Sequence, residues 1–395
     1  MIKNKQFFWL FLMTSNYLYA QQPILLIIGT RPEGIKMAPV YHACKQLQIP
    51  TLVCSTDQHT DLLVDVLKVF DITPDFNLNI MQHGQDLFHI TISVLEQLKT
   101  LYATIQPSLV VVQGDTSSAA AAALAAFYLK IPVAHVEAGL RTYNINSPFP
   151  EELNRRIISL ISSYHFAPTE SAVAQLLQEK ILPDTIYNVG NTVVDALYYV
   201  QQKITRREIL PSDELKNIIA RAKTNNRKIV TLTAHRRESF AHGLQSVFTA
   251  IKKSIELYPD MLVIFPMHPN PLIKGIVQKV QLDATPHLII TKPLSYIDMV
   301  YLLMNSAIVA TDSGGLQEEA ISLNKPVLVL RNETERYEGV NAGISQIVGF
   351  DQEQIITAIG SLLTGSRKVP QAGALYGNGD SGKQIATIIK EKFSY

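Results

Sequence analysis

The chain has 395 residues, 47% of them hydrophobic and 17% charged, with a formal net charge of +1. That length exceeds the roughly 250–300 residues at which single cores stop growing, so two domains are expected, and the apolar content excludes a disordered chain. A near-neutral charge without a basic stripe excludes nucleic acid as the main partner, and Cys44 and Cys54, with no CxxC pattern, exclude a disulfide framework or cysteine metal site. Both cysteines are expected as buried thiols in a reducing compartment.

In chain order, Lys3 and Lys5 precede an apolar stretch, Phe7 to Met13, and Ala20 stands before two glutamines. This is the outline of a signal peptide, with a short apolar run and a bulky Leu18 where a small residue is preferred. The run is too short to span a bilayer. Residues 1–21 are therefore expected to be an extension outside the fold, with secretion as the alternative. From Pro23 short apolar runs alternate with amphipathic stretches. Expected strands are 24–28, 51–55, 109–113, 132–137, 164–168 and 185–189, and helices lie between them, such as "IKMAPVYHACKQL", "DLLVDVLKVF" and "AAAALAAFYL". The all-apolar helix from Ala119 to Leu129 is expected to be buried. A charged helical stretch, 201–227, follows, and strands resume at 228–234, 261–266, 287–291, 307–311 and 326–330. Continuous β-branched strands alternating with helices imply parallel sheets covered on both faces. The expected fold is therefore α/β, with two Rossmann-like doubly wound domains, 22–190 and 191–375. A final helix, 381–393, returns to the first. Two such sheets are expected to face each other across a cleft at their C-terminal strand ends, where ligands of these sheets bind.

The residues directly after those strands are polar and specific: "GTRPEGIK", "GDT", "EAGLR", "AHRRES" and "TDSGG". The stretch "ATDSGGLQEEA", Ala310 to Ala320, allows two readings. One is a tight strand-to-helix turn with Glu318 and Glu319 in a first turn that suits the helix dipole. The other is a helix start whose free N–H groups meet an anion approaching the two glycines.

Taken together, "GTRPEGIKMAPV", "VVVQGDTSSAAAAALAA", "HVEAGLRTYNINSPFPEELNR", "TAHRRESF" and "TDSGGLQEEA" resemble the non-hydrolysing UDP-N-acetylglucosamine 2-epimerases, from about Pro23 to the C-terminus. The resemblance implies the two-domain GT-B architecture, interconversion of UDP-N-acetylglucosamine and UDP-N-acetylmannosamine, and no cofactor or metal. It implies elimination of UDP to 2-acetamidoglucal followed by re-addition. A cytoplasmic homodimer is implied too, supplying precursors for surface polysaccharide, with no membrane partner.

Residue by residue, the resemblance makes Ser313, Gly314 and Gly315 the diphosphate cradle. It assigns Glu319 to the ribose hydroxyls, Arg336 to UDP, and Arg31 and Lys36 to substrate or diphosphate contacts. For the proton chemistry it points to Asp115, Glu137, Glu151 and His235, without dividing removal and return of the proton among them. Each also has an ordinary structural reading. Asp115 could cap the alanine-rich helix, as could Thr116 or Ser117. Glu137 ends a strand, where apolar neighbours disfavour a charged carboxylate. Glu151 could be a first-turn glutamate, His235 a loop histidine, and Arg336 a surface helix arginine. Gly84 stands where some relatives carry an arginine that holds an activating second UDP-N-acetylglucosamine, although Gln58 and His59 are retained, so such activation is not expected. The competing readings are a sister epimerase acting on a UDP-diacetamido uronic acid, the hydrolysing relative, a GT-B glycosyltransferase and a secreted sugar-binding protein. A dinucleotide oxidoreductase is disfavoured, because no GxGxxG follows an expected strand.

Overall fold

The computed structural model describes residues 22–57, 60–82, 84–234 and 243–395. The segment 1–21, Gln58, His59 and His235 lie outside the described residues. Among the described residues the chain divides into two compact units: the first is 22–167, 172–189 and 382–395, and the second is 168–171 and 190–381.

The first unit contains strands β1 (Ile24–Ile28), β2 (Thr51–Ser55), β3 (Phe76–Asn77), β4 (Leu109–Gln113), β5 (Val133–Val136), β6 (Tyr164–Ala167) and β7 (Ile186–Asn188). Between them run helices α1 (Arg31–Gln46), α2 (Thr60–Val69), α3 (Leu87–Ile105), α4 (Ser117–Tyr128), α5 (Glu151–Ile161) and α6 (Glu170–Gln178). The sheet is parallel, in the order β3-β2-β1-β4-β5-β6-β7. Strands β1 and β4 are buried along their whole length, which is why β1, and β4 as far as Val112, read as unbroken apolar runs.

Helix α4 packs between α3 and α5. Thr116 caps it, accepting from Ala119 N at 3.0 Å. Its alanines, Ala119 to Ala123, Ala125 and Ala126, are buried as expected. Phe127 and Tyr128 are not: they are 51% and 68% exposed, because the last turn runs out into solvent.

The second unit contains α7 (Thr192–Thr205), α8 (Asp213–Thr224), β8 (Lys228–Thr233), α9 (Gly243–Leu257), β9 (Met261–Pro266), α10 (Pro271–Val280) and β10 (Leu288–Thr291). It continues with α11 (Tyr296–Asn305), β11 (Ile308–Thr311), α12 (Gly314–Ser322), β12 (Val327–Val329), α13 (Tyr337–Asn341), β13 (Ser345–Ile347) and α14 (Gln352–Thr364). Its sheet is also parallel, in the order β10-β9-β8-β11-β12-β13. The charged stretch 201–227 is two helices. Pro211 breaks it, and Ser212 caps α8 by accepting from Leu215 N. The last helix, α15 (Ser381–Phe393), lies on the first unit, where Lys390 Nζ donates to Leu47 O at 3.1 Å.

In each sheet the strand order reverses once, between β1 and β4 and between β8 and β11. The connections leave in opposite directions at these points, and a crevice opens beyond the strand ends. The residues after β1, β4 and β11 therefore matter most.

Candidate active site

In the first unit, Arg31 is the first residue of α1 and is partly buried, and Lys36 lies in the second turn of that helix. Glu137 directly follows β5 and has φ of +66°, a left-handed conformation that costs a non-glycine residue of order 1 kcal/mol and often marks a functional position. Its carboxylate is held on both oxygens. Lys36 Nζ lies 2.5 Å from Oε1, and the Gln113 side-chain amide donates to Oε2. The lysine and glutamate side chains are only 9% and 7% exposed. Glu137 therefore does not sit among apolar sheet residues as expected. The last residue of β4 and the second turn of α1 converge on it with a cation and an amide.

Asp115 follows β4 after Gly114. Because Thr116 supplies the cap of α4, the carboxylate of Asp115 is not needed for that task. It pairs instead with Arg155 Nη2 at 3.0 Å and keeps a third of its side chain exposed. Its carbonyl accepts from Asn154 Nδ2 at 2.9 Å. Arg155 and Asn154 belong to α5, which Glu151 opens. One carboxylate oxygen of Glu151 is buried with no hydrogen-bond partner among the described residues, an uncommon state for a group of that polarity.

Two residues brace these turns. Glu33 is buried, accepts from Gly29 N at 2.9 Å and Thr116 Oγ1 at 2.7 Å, and so ties the turn after β1 to the turn after β4. Burial pushes its carboxyl above the ordinary value, against those hydrogen bonds. His135 on β5 is fully buried beside the carbonyl of Gly114, 2.8 Å from Nε2. Since a carbonyl only accepts, Nε2 carries the proton. Burial draws the ring down to about 3, so it is neutral.

In the second unit the site forms at the start of α12. Ser313 N donates to Thr311 Oγ1 at 3.0 Å, and the Ser313 hydroxyl makes no capping hydrogen bond. The first helical N–H groups, those of Gly314, Gly315 and Leu316, have no acceptor within the helix by its own geometry. The first turn holds no acidic residue, because the helix begins at Gly314 and Glu318 and Glu319 fall in its second turn. The reading of these glutamates as dipole partners is corrected accordingly. Glu319 is buried and accepts from Tyr296 OH at 2.9 Å.

Arg336 is not a surface residue. It is 8% exposed, caps α13 through its backbone, and donates from Nε to Glu318 Oε1 at 2.9 Å. Nη1 lies 3.6 Å from Glu335 Oε2, which also accepts from Arg331 Nη1 at 2.8 Å. A Cβ on Gly314 would lie 2.8 Å from the guanidinium carbon, whereas one on Gly315 would meet no described residue within 4 Å. The two glycines therefore have different reasons: the first makes room for Arg336, and the second keeps the helix start open.

Sequence reasoning missed Gln113, Arg155 and Glu335, and read Glu318 only as a partner of the helix dipole. Gln113 carried a signal, a polar residue closing an otherwise apolar strand. The others lie on helices or loops where charge is ordinary. The cysteines are free and buried, with thiols pushed up to about 12 by burial. Among the described residues no helix is long and apolar enough to cross a membrane, and no group of three or more His, Cys, Asp or Glu is placed to hold a metal ion.

Two parallel sheets with flanking helices, each carrying its polar residues at a switch point, define a protein of the GT-B-like α/β class. A family model described as UDP-N-acetylglucosamine 2-epimerase matches residues 42–390. The UDP-N-acetylglucosamine 2-epimerase of Escherichia coli (strain K12) is 41% identical over 374 residues, covering 93% of this chain and 98% of that one. The crystal structure of the Neisseria meningitidis UDP-GlcNAc 2-epimerase bound to UDP-GlcNAc superposes with a TM-score of 0.85 at 40% identity, covering 93% of this chain and 100% of that one. The S. aureus MnaA–UDP structure gives 0.85 at 37% identity, covering 94% and 97%. The chain belongs to the UDP-N-acetylglucosamine 2-epimerase family, a family of isomerases.

Proposed function

We propose that this protein interconverts UDP-N-acetylglucosamine and UDP-N-acetylmannosamine. The observation that carries the reading is its near full-length match to 2-epimerases, one of them solved with UDP-GlcNAc. In the proposed reaction a proton leaves C2 while the C1–O bond breaks with its electron pair going to UDP, giving 2-acetamidoglucal. Re-addition forms the C1–O bond again and delivers a proton to the other face of C2. The net change is redox-neutral, so the chemistry asks for no electron carrier.

The second unit serves as the UDP holder. The N–H groups at the start of α12 and Arg336 meet the diphosphate, with the Ser313 hydroxyl beside them, and Glu319 takes the ribose hydroxyls. In the first unit Asp115, Glu137 and Glu151 supply acid/base groups, with His235, and Arg31 and Lys36 meet the substrate. Support for this comes from the geometry. Glu137 is held in a strained conformation by a lysine and an amide, Asp115 is freed from capping, and Glu151 keeps a buried oxygen without a partner among the described residues. The enzyme works in the cytoplasm, where UDP-sugars are made, as a source of surface-polysaccharide precursors. It acts as a homodimer, a reading supported by Phe88 on α3 and Leu160 on α5, which are 78% and 79% exposed.

The test is incubation with UDP-N-acetylglucosamine in deuterated water, followed by proton NMR. Both UDP-N-acetylhexosamines should appear, with deuterium at C2. Asp115→Asn and Glu137→Gln should each lose about 10²–10⁴-fold in exchange rate while keeping UDP affinity. Turnover of a UDP-diacetamido uronic acid alone, or release of free N-acetylmannosamine, would overturn the assignment.

A further inference from the structure

Glu318 poses a physical puzzle. It is a buried carboxylate, 1% exposed, one turn from a helix start read here as an anion site. By charge alone it opposes an anion there, and the helix dipole gives it no benefit, since it lies beyond the first turn. Its contact supplies the explanation. Residues 314 and 318 are four apart and share one face of α12. The Arg336 guanidinium lies along that face, with its carbon against Gly314 and its Nε bound to Glu318 Oε1 at 2.9 Å. A side chain at position 314 would occupy the same space. On the other side Glu335, anchored 2.8 Å from Arg331 Nη1, lies 3.6 Å from Arg336 Nη1.

We infer that Glu318 is a positioning residue for UDP binding. It holds the Arg336 guanidinium flat along the first turn of α12, so that the arginine and the first helical N–H groups form one preset anion clamp. This rests on the reading of that helix start as the UDP cradle. A long arginine left unrestrained would lose its rotamer freedom when UDP binds. Held by Glu318, it loses that freedom on folding, and binding is tighter for it.

The inference separates the charge of Glu318 from its oxygen. Glu318→Gln keeps an acceptor for Nε and removes the repulsion, so it should bind UDP as tightly as the parent or more so. Glu318→Met keeps the length but removes the acceptor, and should weaken UDP roughly tenfold, as expected for loss of a charge-assisted hydrogen bond. In an Arg336→Ala background Glu318→Met should cost nothing further, because its effect runs through the arginine. Calorimetric titration of the full chain with UDP reads all of these, and thermal unfolding checks the fold. If Glu318→Met does not fold, Glu318→Leu, which likewise lacks an acceptor, makes the same comparison. Wild-type UDP affinity in Glu318→Met, or a loss that persists without Arg336, would overturn the inference while leaving the cradle intact. If Arg336→Ala and Gly315→Ala also bound UDP normally, the cradle reading itself would fall.

Discussion

His135 shows how a buried ring in a strand can shape the acid stability of the protein. The ordinary histidine value is 6.5, and burial in the native state lowers it to about 3, with Arg141 and the neighbouring His165 acting in the same direction. Between those values the unfolded chain takes up a proton that the native chain refuses. The stability from a neutral His135 is therefore complete above pH 6.5 and is lost as pH falls toward 3, by up to about 1.4 kcal/mol per pH unit. His165, also lowered by burial, adds to the trend. Replacing His135 with Gln keeps an N–H donor for the Gly114 carbonyl but cannot titrate. Urea unfolding between pH 7.5 and 4 should show a shallower acid slope in His135→Gln, by about one proton. An unchanged slope would remove His135 from the account. Nothing in "PVAHVE" reveals that the ring of His135 meets the turn before Asp115.

At the scale of elements, α12 joins two glycines with separate duties. Gly314→Ala would drive a methyl into the Arg336 guanidinium, so it should cost stability, about 1–3 kcal/mol as for other overpacked sites, and weaken UDP through displacement of the arginine. Gly315→Ala meets open space among the described residues. It should hold or raise stability, by up to about 1 kcal/mol of helix propensity, yet still weaken UDP by intruding where phosphate approaches the backbone. Thermal unfolding beside calorimetry distinguishes the two. Normal UDP binding by Gly315→Ala would leave the second glycine as mere turn chemistry. Elements also show where pattern reading ends. Strands β3 and β13 have two and three residues, too few to show a period, and none was expected there.

At the scale of the molecule, the C-terminal helix completes the first unit. A Cβ on Gly382 would fall 2.6 Å from the carbonyl carbon of Pro39, so α15 touches the backbone of α1 at the proline in its interior. Tyr395 OH donates to Gln22 O at 2.8 Å, beside the strand that begins the unit. Gly382→Val should therefore lower the melting temperature of the full chain, with a loss of about 1–3 kcal/mol. Gly275→Ala, in open space on α10, serves as a control that should be neutral or stabilising. Equal melting of Gly382→Val and the parent would show that the close packing carries no stability.

Periodicity along the chain determined the α/β class, eleven of the strands to within a residue or two at their ends, and the helices that follow the first strands, because buried parallel strands must be continuously apolar. Motif order was enough to carry the family resemblance. Which partners the charged side chains chose was settled only by the tertiary structure. Lys36 and Glu137 are far apart in sequence, as are Gly314 and Arg336, and no local pattern encodes a contact of that separation. The capping of α4 by Thr116 was one of three options that the sequence allowed. The selection came from folding, since a carboxylate, a guanidinium or a helix start leaves water only where a partner is already in place.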